Sequence, residues 1–138
     1  MEIILAENHG FCYGVKRAVE MANEAANGAG KSYTLGPIIH NPQVVGRLES
    51  KGVKPIDEVS DIDSGTMIIR SHGVGPAIYE EAENKGLNIV DATCPHVKKA
   101  QQDAKSVIED GMTLVILGEK NHPEVKSINL WANNEGII

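Results

Sequence analysis

The chain has 138 residues, 41% of them hydrophobic and 23% charged, and a formal net charge of -6. That length builds one domain with a real hydrophobic core and leaves no room for a second full one. The acidic balance excludes a dedicated nucleic-acid surface, which clusters Lys and Arg, and no stretch approaches the roughly 20 apolar residues of a membrane span.

Short β-branched runs alternate with helical patterns. Residues 2–6 (EIILA) read as a buried strand, too short and too poor in preceding basic residues for a signal peptide. A helix follows from about Val15 to Ala26, closed by Gly28 and Gly30. Residues 32–36 (SYTLG) give a second strand, and NPQVVGRLESKG gives a helix with Asn41 as cap and Pro42 at its first position. A weak strand is expected at 53–56 (VKPI). Stronger ones are expected at 66–71 (TMIIRS), 87–92 (LNIVDA) and 113–118 (TLVILG). Helices fit from Pro76 to Lys85 and from Pro95 to about Asp110. This alternation predicts an α/β fold, a mainly parallel sheet with crossover helices. The last stretch, NHPEVKSINLWANNEGII, reads as a helix, a turn and the first residues of another strand. The chain is therefore expected to be part of a longer protein.

Reactive side chains fall just after the strands: His9 and Cys12, then His40, His72, Cys94, and finally His122 with Glu124. Ligands of open parallel sheets bind beyond the carboxyl ends of the strands, so these groups converge on one edge. Gly10, Gly14, Gly36, Gly73 and Gly118 accompany them, as expected where backbone approaches a ligand closely. His9 and His96 read as solvated residues. Taken singly, the others have bland explanations. A buried free cysteine is usually an inert small hydrophobe, and Glu124 after a proline suits a helix's first turn. Their common placement points further.

No Cys-x-x-Cys or His-x-x-x-His pair marks a structural zinc site. A catalytic Cys–His dyad would leave a thiol and two imidazoles without a role. Cysteines from distant strand ends are one way to hold an iron–sulfur cluster, and histidines beside helix amino termini suit a phosphate or diphosphate. Two other classes stay open: a short cluster-free module that binds a phosphorylated metabolite, and a transferase dependent on Cys12 or Cys94. Two distant cysteines without an export signal fit a reducing compartment, so a cytoplasmic location is expected.

Five segments, GFCYGVKRAV (10–19), IIHNPQVV (38–45), RSHGV (70–74), DATCP (91–95) and GEKNHPEV (118–125), resemble in order five motifs of the 4-hydroxy-3-methylbut-2-enyl diphosphate reductase family. These are iron–sulfur enzymes of the non-mevalonate isoprenoid pathway. The resemblance implies the first of three α/β units at 1–94, with the cluster-ligand loops, and an incomplete second unit at 95–138. It implies an oxygen-sensitive 4Fe-4S cluster held by three cysteines, two of which match Cys12 and Cys94. The fourth iron stays open to the substrate's hydroxyl. His40, His72 and His122 match the histidines that clamp the diphosphate. Glu124, beside His122, matches the glutamate that delivers a proton to the departing hydroxyl. Two electrons from a ferredoxin- or flavodoxin-type donor would remove water and give isopentenyl and dimethylallyl diphosphates. Family members are about twice this long, and their third cysteine, a substrate-contacting Thr and a Ser-x-Asn motif lie beyond Ile138. No third cysteine is present, so these 138 residues alone are expected not to turn over.

Overall fold

The computed structural model describes every residue except Asn8 and Ala29. Four strands, β1 (Ser32–Leu35), β2 (Val53–Ile56), β3 (Thr66–Ile69) and β4 (Asn88–Asp91), form one parallel sheet in the order β2-β1-β3-β4. Five α-helices surround and follow it: α1 (Tyr13–Ala26), α2 (Pro42–Glu49), α3 (Pro76–Asn84), α4 (Pro95–Glu109) and α5 (Pro123–Trp131). Four of the five begin with proline in the first turn, where the missing N–H costs nothing and the fixed φ is already helical. A 3-10 turn at Val59–Asp61 has no counterpart in the sequence expectations.

The register is level: Leu35 pairs with Ile56 and Ile69, and Ile69 pairs with Asp91. The strands therefore release His40, His72 and Cys94 at one edge. Both faces of the sheet are covered, so β3 is apolar without alternation. Ile68 faces Ala18 and Ala22 of α1 together with Ile38, Ile39, Leu48 and Val53. Met67 and Ile69 face Val59, Ile62, Val74, Ala82 and Leu87. Truncating a residue such as Ile68 to Ala in this core costs about 2–5 kcal/mol.

Two expected strands are not built. Ile3, Ile4 and Leu5 are 75%, 83% and 77% exposed, and residues 1–6 take no regular structure. High β-propensity does not make a strand without a hydrogen-bonded neighbour. At 113–118 the backbone makes one parallel bridge, Val115 to Ile137. The Ile116 N–H donates to Ile137 O at 2.8 Å, and the Ile137 N–H donates to Leu114 O at 3.0 Å. So short a ladder buries little, and Leu117 stays 96% exposed. No helix among the described residues is long and apolar enough to cross a membrane.

Candidate functional site

Three imidazoles meet where β1, β3 and α5 converge. His40 immediately precedes Asn41, which caps α2 by accepting the Val44 N–H at 3.1 Å. His72 lies in the turn after β3, and the Ser71 N–H and hydroxyl, at 3.2 and 3.1 Å from Ile38 O, tie that turn to the His40 loop. His122 is the cap residue of α5. Ring centroids are 4.4 Å apart for His40–His72, 5.7 Å for His40–His122 and 5.6 Å for His72–His122. One nitrogen from each ring lies within 4.8 Å of the others.

The electrostatics of this rim favour a negatively charged guest. Burial, and then the neighbouring charges of His40, Arg70 and His122, lower the His72 pKa to about 4. Its Nδ1 is buried and has no partner among the described residues, although buried polar atoms are almost always paired. Both features are relieved by an anion that brings acceptors and negative charge. A divalent metal is the other guest that three converging imidazoles could take. The His122 tautomer opposes it. His122 Nδ1 accepts the Glu124 N–H at 3.3 Å, which puts the neutral ring's proton on Nε2 and makes that nitrogen a donor. Donors suit a diphosphate.

Both thiols sit at helix starts. Cys12 caps α1 and is exposed; Cys94 caps α4 and is half-buried. A Cβ on Gly14 would lie 2.5 Å from Cys94 Sγ and 3.2 Å from its Cβ. The Cys94 sulfur thus rests against the first turn of the helix that Cys12 caps, and only glycine allows it. The Cys94 N–H donates to Ser71 O at 2.9 Å, linking this loop to the residue beside His72. Arg17 Nη1 donates to Thr93 O at 3.1 Å, joining α1 to the same loop. At the loop's base, Asp91 pairs with Lys98 at 2.6 Å and accepts from the Thr93 N–H and the Tyr79 hydroxyl, each at 3.0 Å. Burial works to raise the Asp91 pKa, but Lys98 and Thr93 hold it below its ordinary value. Burial, and then Asp91, push the Tyr79 phenol up. A cavity of about 260 Å³ runs from Phe11 and Val15, beside Cys12, to His40 and His72.

Glu124 is the second residue of α5 and half-buried. Its helix is held to the His72 turn by Ser127, whose hydroxyl lies 2.7 Å from His72 O and 2.9 Å from Glu124 O and accepts from Gln101 Nε2 at 3.3 Å. Ser127 and Gln101 are each 2% exposed. Sequence reasoning missed both, because nothing local marks a Ser and a Gln whose partners are set by how α4 and α5 pack.

The six candidate residues divide in how they arrive. His40, His72 and Cys94 follow sheet strands as expected, whereas Cys12, His122 and Glu124 are placed by helix starts without a strand before them. Gly14, Gly36, Gly73 and Gly118 make room for Cys94, Arg70, Gln101 and Val125 of this chain, whereas nothing among the described residues lies within 4 Å of a Cβ placed on Gly10. His9, whose Nδ1 lies 2.8 Å from Ala6 O, and His96 are exposed and outside the histidine cluster.

The model of the family described as LytB protein matches residues 3–138. The 4-hydroxy-3-methylbut-2-enyl diphosphate reductase of Geotalea uraniireducens is 55% identical over 138 residues, all of this chain and 49% of the relative. That of Geobacter sulfurreducens is 55% identical over 132 residues, 96% of this chain and 47% of the relative. The chain thus spans about half the length of the curated relatives it matches. Among solved structures, (E)-4-hydroxy-3-methyl-but-2-enyl diphosphate reductase, the terminal enzyme of the non-mevalonate pathway, superposes with a TM-score of 0.83 at 47% identity. That match covers 98% of this chain and 50% of the other. The E-1-hydroxy-2-methyl-but-2-enyl-4-diphosphate reductase from Plasmodium falciparum gives 0.90 at 32% identity, covering 96% of this chain and 42% of the other.

Proposed function

The chain belongs to the LytB protein family, and from that premise we propose that it carries the diphosphate-binding part of a 4-hydroxy-3-methylbut-2-enyl diphosphate reductase. The observation that carries this reading is the convergence of His40, His72 and His122, with Glu124 two positions beyond His122. In the proposed reaction two electrons and two protons replace a C–OH bond by C–H and release water, giving isopentenyl and dimethylallyl diphosphates. The three imidazoles bind and orient the diphosphate by charge-assisted hydrogen bonds. His122, whose Nδ1 accepts the Glu124 N–H, donates from Nε2, and His72 gains a proton as the anion arrives. Glu124 delivers a proton to the leaving hydroxyl as general acid.

The donor set also fits part of an iron–sulfur site. Cys12 and Cys94 cap neighbouring helices, Cys94 Sγ lies against Gly14, and helix amino termini favour the negative charge of such a group. They would hold two corners of a 4Fe-4S cluster, with the remaining thiol supplied from outside these 138 residues. When bound, the cluster supplies the electrons and a Lewis-acidic iron for the hydroxyl. A ferredoxin- or flavodoxin-type donor and a cytoplasmic location complete the proposal.

Glu124→Gln in the full-length protein tests it. Iron content should be unchanged while turnover falls by about 10²–10⁴; undiminished turnover would remove Glu124 from the mechanism.

A further inference from the structure

A second cavity, of about 340 Å³, opens beside the histidine rim and includes none of its three rings. Its walls come from Gly36 after β1, Arg70 and Gly75 after β3, and Lys126 and Leu130 of α5. It lies beyond the carboxyl ends of β1 and β3, neighbours in the sheet from which the chain leaves β1 toward β2 on the other side. Parallel sheets take their ligands at such switch points.

Arg70 is unusual in this position. Its Nε is shielded from solvent and has no hydrogen-bond partner among the described residues. Among the described residues no carboxylate lies within ion-pair distance of its guanidinium, Asp57 in the same cavity wall included. Burial lowers its pKa with no carboxylate to offset it. The side chain is also closely seated, since a Cβ on Gly36 would meet Nη1 at 2.5 Å. Lys126 adds a second cation, likewise without an ion-pair partner among the described residues. A half-buried guanidinium with a shielded Nε and no carboxylate beside it favours an anionic partner, and its planar fork matches an oxyanion.

We propose that this cavity is an oxyanion site separate from the histidine rim, binding a small phosphate- or carboxylate-bearing metabolite through Arg70 and Lys126. Asp57 leaves the wall with a net single positive charge, which favours a small anion over an extended polyanion. The site also touches the rim. Ser127 lines the cavity and its hydroxyl lies 2.7 Å from the His72 carbonyl oxygen. The proposal does not depend on the reductase reading.

The test is a titration of the isotopically labelled 138-residue protein with inorganic phosphate and, separately, succinate, followed by amide resonances. Gly36, Gly75 and Leu130 report the cavity; Asn41 and Glu124 report the rim. Saturable shifts of the cavity set are expected, and the anion that binds tighter identifies the ligand class. Arg70→Gln should weaken this binding at least about tenfold, while His122→Ala should leave the cavity set unchanged. Lys126→Gln, an exposed substitution, should weaken it by a smaller factor and serves if the arginine variant does not fold. Cavity shifts that are absent, non-saturable or of undiminished affinity in the cation variants would overturn the proposal. Loss of the rim shifts alone would count against the diphosphate reading instead.

Discussion

The histidine rim and the thiol pair share one edge of the sheet, yet they differ in how fully this chain builds them. Each imidazole stands on a segment fixed by hydrogen bonds: Asn41 to Val44, Ser71 to Ile38, Glu124 to His122, and Ser127 across to His72. Cys94 is fixed as well, through its N–H on Ser71 and its sulfur on Gly14. Cys12 is exposed and follows the apolar residues 3–5, which pair with no strand among the described residues. Anion recognition needs a few donors at the right spacing, which one sheet edge can supply. A cubane cluster needs thiolates from more directions, and two cysteines do not surround it.

The sharpest way to break this comparison is to measure iron and acid-labile sulfide after anaerobic reconstitution of the 138-residue protein. Little or no stable cluster is expected, and close to the full complement of about four irons per chain would make the thiol pair sufficient. Next in size is His122→Ala, which removes a donor from the rim. Pyrophosphate binding, measured by calorimetry, should weaken about 10–100-fold; an unchanged affinity would detach the rim from anion binding. Gly14→Ala probes the thiol side alone. Crowding Cys94 should cost about 1–3 kcal/mol in chemical denaturation and leave pyrophosphate affinity intact.

A smaller effect follows from His72. Its pKa is about 4 in the folded chain against 6.5 ordinarily, so between these values the unfolded chain binds the extra proton. Stability is therefore fully present above about pH 6.5 and declines as pH falls toward 4, where the loss levels off. Thermal unfolding across this range should show the decline, and His72→Gln should flatten it. Bound pyrophosphate, which stabilises the imidazolium, should flatten it too.

Much of the molecule was legible before any coordinates. The four sheet strands and five helices follow from local patterns, with prolines at helix starts marking boundaries as firmly as hydrophobic periodicity does. His40, His72 and Cys94 could be assigned to one edge because parallel strands joined by crossovers all point the same way. The strand expectations at 2–6 and 113–118 failed for a reason that no local pattern reveals. EIILA and TLVILG have strand composition, but pairing is a property of two segments, and neither joins the four-stranded sheet among the described residues.

The sequence by itself determined the fold class, the order of elements and which chemical groups reach the sheet's edge, because propensity, capping and strand polarity act over a few residues. Tertiary structure alone decided the rest. The closeness of the three rings, the contact of Cys94 with Gly14, the Ser127 link from α5 to His72 and the cavity shared by Arg70 and Lys126 join residues far apart in the chain. Such contacts are fixed by how helices pack against the sheet.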